Sequence, residues 1–334
     1  MEIPYEIAMG ALEAVRGTPI AAPTHLLHVN EFTVAPKHTR NRVKEKRGVL
    51  ADSYRSHILR RWCEWRAVGP LDPRGILFWL EMGLAGSVAP APEAGPSVAY
   101  LSDYTASLTS DDLKSATFWF GDPNIKTWVT DYAMCDELII RSDVGNENGV
   151  EYEASGWSHE FTETITQVTP AETLGVLLDP MTTQLWLDDT GVTYGVTEVT
   201  GRVISAELTI PTGVKYKWVA HGDPAVLQNY TITGRMPRQC QLRIVLEVPD
   251  TTQVAAFIAG EQWRARVKWT GEPVAAGDSN AWYVQADLFG TMESMEWGAY
   301  EEANRTIALT LFGEYDSTNL YDVAISVMHN SAAV

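Results

Sequence analysis

The chain has 334 residues, 45% apolar and 20% charged, a globular composition with room for one large domain or two ordinary ones. No apolar run approaches the ~20 residues that span a bilayer, and the acidic opening Met1-Glu2-Ile3-Pro4-Tyr5-Glu6 has neither the basic nor the apolar region of a secretory signal. A net charge of −18 works against nucleic acid and anionic membrane as ligands. The expectation is a soluble chain made in a cytoplasm. Cys63, Cys135 and Cys240 are too scattered for a disulfide framework or a zinc site and read as buried small apolar groups.

The stretch from Lys37 to Arg66 holds ten cations against three acids, +7, which leaves −25 for the rest. Its densest part, Lys37–Arg47, reads as a hydrophilic loop of like charge, within a basic arm over 37–57. It lacks the interleaved aromatics of a nucleic-acid arm, and an acidic chain offers it complementary surface on other copies of itself. Lys37, Arg40, Arg42, Lys44, Lys46 and Arg47 are therefore the candidate inter-subunit residues. A strand at Ile58–Ala67 runs into a helix capped by Asp72, with Pro73 at its first position, Ile76, Leu77, Trp79, Leu80 and Leu84 at helical spacing, and Gly86 as its stop. An Ala/Pro-rich exposed loop follows (87–97).

Strands are expected at Ala116–Phe120, Thr127–Met134, Glu137–Arg141, Val150–Ser158, Thr183–Leu187, Ile204–Ile210, Gln241–Val248, Trp263–Trp269, Trp282–Phe289, Thr306–Phe312 and Val323–Met328, separated by Gly, Asp, Asn and Pro turns. A second helix begins at Asp250, with Val254, Phe257 and Ile258 as its apolar stripe and Gly260 as its end. Each helix follows a strand and precedes an aromatic strand, a further strand and a glycine. Trp128 to Gly156 spans 28 residues and Trp282 to Gly313 spans 31. The order implies a duplicated strand–helix–strand unit, with one domain over 1–169 and a second over 180–334.

Catalytic and cofactor signatures are missing. There is no phosphate loop, no Gly-x-Ser-x-Gly elbow and no His-Glu-x-x-His. His25 and His28 lie close together without a third ligand nearby. Asp188-Asp189 and Glu301-Glu302 are adjacent acids, which strand geometry sends to opposite faces. Twelve tryptophans allow a carbohydrate-binding alternative, although most fall inside expected elements, where packing is the default. The expectation is a chain without enzymatic activity, catalytic residues, metal or cofactor.

The segment Ala11-Leu12-Glu13-Ala14-Val15-Arg16-Gly17-Thr18-Pro19-Ile20, an apolar strand at Leu26–Val29, the basic loop, the Asp-started helix and the ending Ile307-Ala308-Leu309-Thr310-Leu311-Phe312-Gly313-Glu314-Tyr315-Asp316 follow one another in a familiar order. As a pattern over nearly the whole chain it resembles the major tail tube protein of long-tailed bacteriophages (siphophages). The Ala/Pro loop and the tryptophan content depart from that pattern. The resemblance implies a mainly β fold of two tandem β-sandwich or barrel domains, each with a short flanking helix. It implies a virion protein that stacks in rings into the tail tube. Its partners would be itself, the tape measure, tail terminator and distal tail proteins, and genomic DNA passing through without specific binding, with no membrane. With two domains per chain, the expected ring is a trimer with pseudo-sixfold symmetry. A carbohydrate-binding β-sandwich module and a virion decoration protein are the alternatives.

Overall fold

The computed structural model describes residues 6–43, 55–86, 88–94, 97–107, 109–122, 126–164, 170, 175–219, 229–247, 251–301 and 304–332. The fold is mainly β, built on a large antiparallel sheet with two short helices. The first part of the chain forms β1 (Ile7–Leu12), β2 (His25–Leu26), β3 (Glu31–Val43), β4 (Arg55–Pro70), α1 (Gly75–Gly83), β5 (Ala91–Pro92), β6 (Tyr100–Thr105), β7 (Ala116–Asp122), β8 (Lys126–Asp143), β9 (Glu151–Ser158) and β10 (Thr162–Thr164). The rest forms β11 (Thr183–Asp189), β12 (Val203–Pro211), β13 (Val214–Lys217), β14 (Ile232–Arg235), β15 (Gln241–Glu247), α2 (Thr251–Ala259), β16 (Gln262–Pro273), β17 (Ala281–Glu301), β18 (Asn304–Gly313) and β19 (Val323–His329).

The pairings fall into two layers. In one, eight strands run in the order β3-β4-β9-β8-β12-β15-β18-β17. In the other, β2-β1-β7-β8-β10 and β11-β16-β17-β19-β6-β5 lie across it. The long strands β8 and β17 belong to both layers and shift register between Cys135 and Glu137 and between Met292 and Ser294. Such bulges bend a strand from one sheet to the next. Backbones approach closely at these crossings. A Cβ on Gly156 would sit 1.9 Å from the Met134 carbonyl, and one on Gly290 would sit 1.9 Å from that of Phe312.

Between the layers lies a continuous apolar core that draws on both parts of the chain, from Trp65, Trp79 and Phe118 to Ile244, Leu309, Val267 and Ile325. Alternation explains the first layer. In Glu151–Ser158, Tyr152 and Ala154 are buried while Glu151 and Glu153 face away. Apart from Glu81, helix α1 is apolar all round, and it is buried all round, with Ile76, Leu77, Phe78, Trp79, Leu80 and Met82 enclosed.

Several expectations change in detail. Asp72 does accept from the backbone N–H groups of Arg74 and Gly75 (both 3.1 Å), but the helix starts at Gly75, with Pro73 in the preceding turn, and ends at Gly83. The strand expected at Leu26–Val29 is only His25–Leu26. The strands expected at Thr127–Met134 and Glu137–Arg141 are one bent strand, β8. The Ala/Pro loop contains β5, which pairs with β6. Within α2, Val254 and Phe257 are half-buried, but Ile258 is 77% exposed, so the stripe is narrower than its spacing implied. Asp250 lies outside the described residues.

Candidate assembly interface

The strand pairings repeat along the chain. β1–β7, β7–β8, β8–β9, β9–β4, β4–β3 and β8–β10 in the first part correspond to β11–β16, β16–β17, β17–β18, β18–β15, β15–β12 and β17–β19 in the second. The two sets meet head to tail, because β8 of the first pairs with β12 of the second over Glu137–Asp143 and Ser205–Pro211. On the core side of this joint Leu138, Ile140, Leu208 and Ile210 are buried. On the other side Arg141 Nε donates to Glu207 Oε2 (2.9 Å) across the joint. Arg141 also pairs with Glu153 (3.1 Å), which accepts from Arg66 (2.6 Å), which in turn pairs with Glu31 (2.8 Å). This charged row crosses five strands. The Arg66 guanidinium holds the Glu153 carboxyl below the usual range, whereas burial pushes Glu137 up.

A head-to-tail joint inside the chain leaves its two halves unmatched at the ends. Among the described residues, β3 has register with β4 alone, and Ser294–Trp297 of β17 have register with β18 alone. Trp297 on that edge is 46% exposed, with the Arg305 guanidinium 4.2 Å from its ring centroid. Ile258 is exposed on α2, the helix that packs against β17.

Of the six basic residues singled out in the sequence, Lys37, Arg40 and Arg42 lie in strand β3, not in a loop, because β4 pairs with it from Val43 back to Glu31. Lys44, Lys46 and Arg47 lie outside the described residues. Lys37 pairs with Glu64 (3.3 Å) and Arg40 Nε donates to His38 Nε2 (3.0 Å). β9 accompanies β4 only as far as Cys63, so Arg40 and Arg42 ride on a two-stranded ribbon beyond the sheet.

The tryptophans do not form an open platform. Trp62 stacks on Trp157 (5.5 Å, 20°), Trp157 stacks on Tyr216 (4.5 Å, 8°), and Trp218 packs edge-on to Trp62 under Arg60. These ring faces are occupied by one another, and they fasten the β13–β14 hairpin to β4 and β9. The three cysteines are buried and free. Asp188 and Asp189 do point to opposite faces. Asp188 is buried, accepting from the N–H groups of Gly195, Val196 and Thr197, and Asp189 is exposed. Among the described residues no three His, Cys, Asp or Glu side chains gather as a metal site, and no helix is long and apolar enough to cross a membrane. Sequence reasoning missed the Glu31–Arg66–Glu153–Arg141–Glu207 row, because it depends on strand register. Its one local signal is the Glu-x-Glu alternation at Glu151–Glu153.

A second seam joins the parts of the chain where β6 pairs with β19. Here buried His329 accepts the Ser331 N–H at Nδ1 (3.2 Å), so Nε2 carries the proton toward Ser102 Oγ (2.8 Å). Protonating Nδ1 would break the first bond. Burial, helped by Arg74, lowers the pKa from 6.5 to about 4. A folded pKa below the unfolded one means stability is complete above about pH 6.5 and is lost as pH falls toward 4, by on the order of 2–3 kcal/mol. Asp287 and Asp136, raised by burial, act in the opposite direction at the low end of that window. The His329→Asn variant is therefore expected to lose less stability than the parent chain between pH 7 and pH 4.5. Urea midpoints at the two pH values measure this, and equal losses would exclude a role for His329.

No protein-family model matches the chain, and no curated protein matches it.

Proposed function

We propose that this chain is a structural subunit that assembles on itself, the major tail tube protein of a long-tailed bacteriophage. It acts in the virion as a DNA conduit and not as an enzyme. The observation that carries the reading is the head-to-tail joint. One repeat's β8 edge already holds the next repeat's β12 edge, and among the described residues the equivalent edges, on β17 and β3, have no strand beside them at the two ends of the eight-stranded layer. A heterologous joint of this kind generates a closed ring when the rotation closes, and open strand edges favour pairing with another chain.

The two sets of pairings are the two tandem domains of the proposed subunit, so three chains supply six and the ring is a trimer with pseudo-sixfold symmetry. The face of the eight-stranded layer turned away from the core supports a conduit. It presents Glu31, Glu64, Glu137, Glu151, Glu153, Glu207, Glu247 and Glu296 against Lys37, Arg66, Arg141 and Arg243. A wall with excess negative charge does not bind phosphates by counterion release, so duplex DNA slides past it. Tape measure, tail terminator and distal tail proteins are the further partners of such a tube. A carbohydrate-binding module is the weaker reading, since the stacked tryptophans present few free faces.

Electron microscopy of the purified chain tests the proposal. Rings or tubes should form without added ligand, threefold, with alternating similar units around the pore. A chain that stays monomeric at every concentration would exclude assembly. Sixfold rings with only one half of each chain at the lumen would exclude the trimer.

A further inference from the structure

We infer that two copies of this chain join in one register, with Val34, Ala35, Pro36 and Lys37 of one copy opposite Trp297, Glu296, Met295 and Ser294 of the next. The inference rests on the self-assembly proposed above and adds the residues that make the joint.

The register comes from two rows of paired residues. In the first part of the chain Phe32 faces Ala67, Ala67 faces Ala154 and Ala154 faces Leu138. In the second part Ala206 faces Ile244, Ile244 faces Leu309 and Leu309 faces Met295. The rows make Phe32 equivalent to Ala206 and Leu138 equivalent to Met295. The bulges supply an independent check, since Leu138 and Met295 each lie two residues after the residue their strand skips, Asp136 and Glu293. The joint inside the chain sets Leu208 opposite Ile140, Thr209 opposite Ile139, Ile210 opposite Leu138 and Pro211 opposite Glu137. Exchanging each residue for its equivalent gives the four pairs stated. The next position, Gly298, falls at β17's second irregularity, where the correspondence ends.

Burial and charge both fit this register. Val34 and Pro36 share the core-facing side of β3, and Met295 and Trp297 share that of β17, with Val34 and Met295 packed against the core. At the joint already made, the equivalent positions are closed, with Ile140 0% exposed. At the open edge its counterpart Trp297 is 46% exposed. On the opposite face Lys37 falls diagonal to Glu296, within reach of a long side chain; the made joint is also charge-paired on this face, through the directly opposed Arg141 and Glu207. Pro36 and Lys37 are residues that discourage indiscriminate edge pairing. A partner edge carrying Glu296 and Trp297 is the one they admit.

Disulfide trapping tests the register. Ala35→Cys with Glu296→Cys places thiols on a directly opposed pair, about 4.5–5.5 Å apart at Cβ, whereas Ala35→Cys with Ser294→Cys is displaced to about 7–8 Å. The native cysteines are buried and do not compete. Mild oxidation of assembled protein should link the first variant into covalent dimers and trimers on non-reducing gels, severalfold more than the second. Rings from the parent chain together with linkage favouring the displaced variant, or none in either, would overturn the register and leave self-assembly standing. A parent chain that forms no oligomer would overturn both.

Discussion

Replacing Lys37, Arg40, Arg42, Lys44, Lys46 and Arg47 together with serine is expected to abolish assembly while leaving the subunit folded. Arg40 and Arg42 sit where the β3–β4 ribbon has left β9 behind, and a two-stranded ribbon in water is marginal by itself. Exposed substitutions there should shift subunit stability by no more than about 0.5 kcal/mol. Assembly is affected much more, because the stretch from Lys37 to Arg66 is +7 in a chain whose remainder is −25, so every other copy offers it acid. Each exposed pair contributes only about 0.2–1 kcal/mol, yet several act at every contact of a repeating structure. Salt should weaken assembly of the parent chain in the same sense, since charges are screened beyond about 8–10 Å at ordinary ionic strength. A second variant that keeps Lys37 separates the ribbon from the β3 edge. Sedimentation and microscopy read the outcome, and normal tubes from the six-residue variant would show that the ribbon has no part in assembly.

What could be read beforehand follows the physics of each segment. Val150–Ser158 alternates cleanly because one face is buried and the other is not, and Thr306–Phe312 alternates in residue type although both of its faces are buried, so both were legible as strands. Ile7–Leu12 was not, since Ile7, Ala8, Met9, Gly10 and Ala11 are all buried and carry no alternation. The strand from Lys37 to Val43 was hidden by its charge. Low β propensity is overridden there by pairing with Arg55–Trp62. The repeated order of strands and helices was visible, but the joint between β8 and β12 was not. A sequence carries the faces of its strands and not which strand lies beside which. For the same reason Lys37 and Arg42 could be picked by charge alone, while Trp297, Glu296 and the Arg141–Glu207 pair became candidates only once register was known.

The α1 core sets the second large effect. Trp79→Ala is expected to destabilise the subunit by about 3–5 kcal/mol. Its ring is 1% exposed and lies 5.8 Å from Trp65, 5.1 Å from Phe78, 6.0 Å from Phe118 and 5.7 Å from Tyr152, between centroids. No neighbour can fill the space without leaving its own packing, and the loss is a large share of the roughly 5–15 kcal/mol that holds a domain folded. Trp79→Phe keeps most of the contact area and should recover much of it. By contrast Ile258→Ala on α2, where the side chain is 77% exposed, should change subunit stability by less than about 0.5 kcal/mol. Urea unfolding distinguishes these outcomes, and it also probes how the repeats are coupled. The apolar core runs through both parts of the chain, and the β8–β12 and β6–β19 seams tie them together. Trp79→Ala should therefore lower the midpoint of one transition seen alike by tryptophan fluorescence and circular dichroism. Two separated transitions, with only the first displaced, would mean that the seams are weaker than the core and that the repeats unfold as independent units.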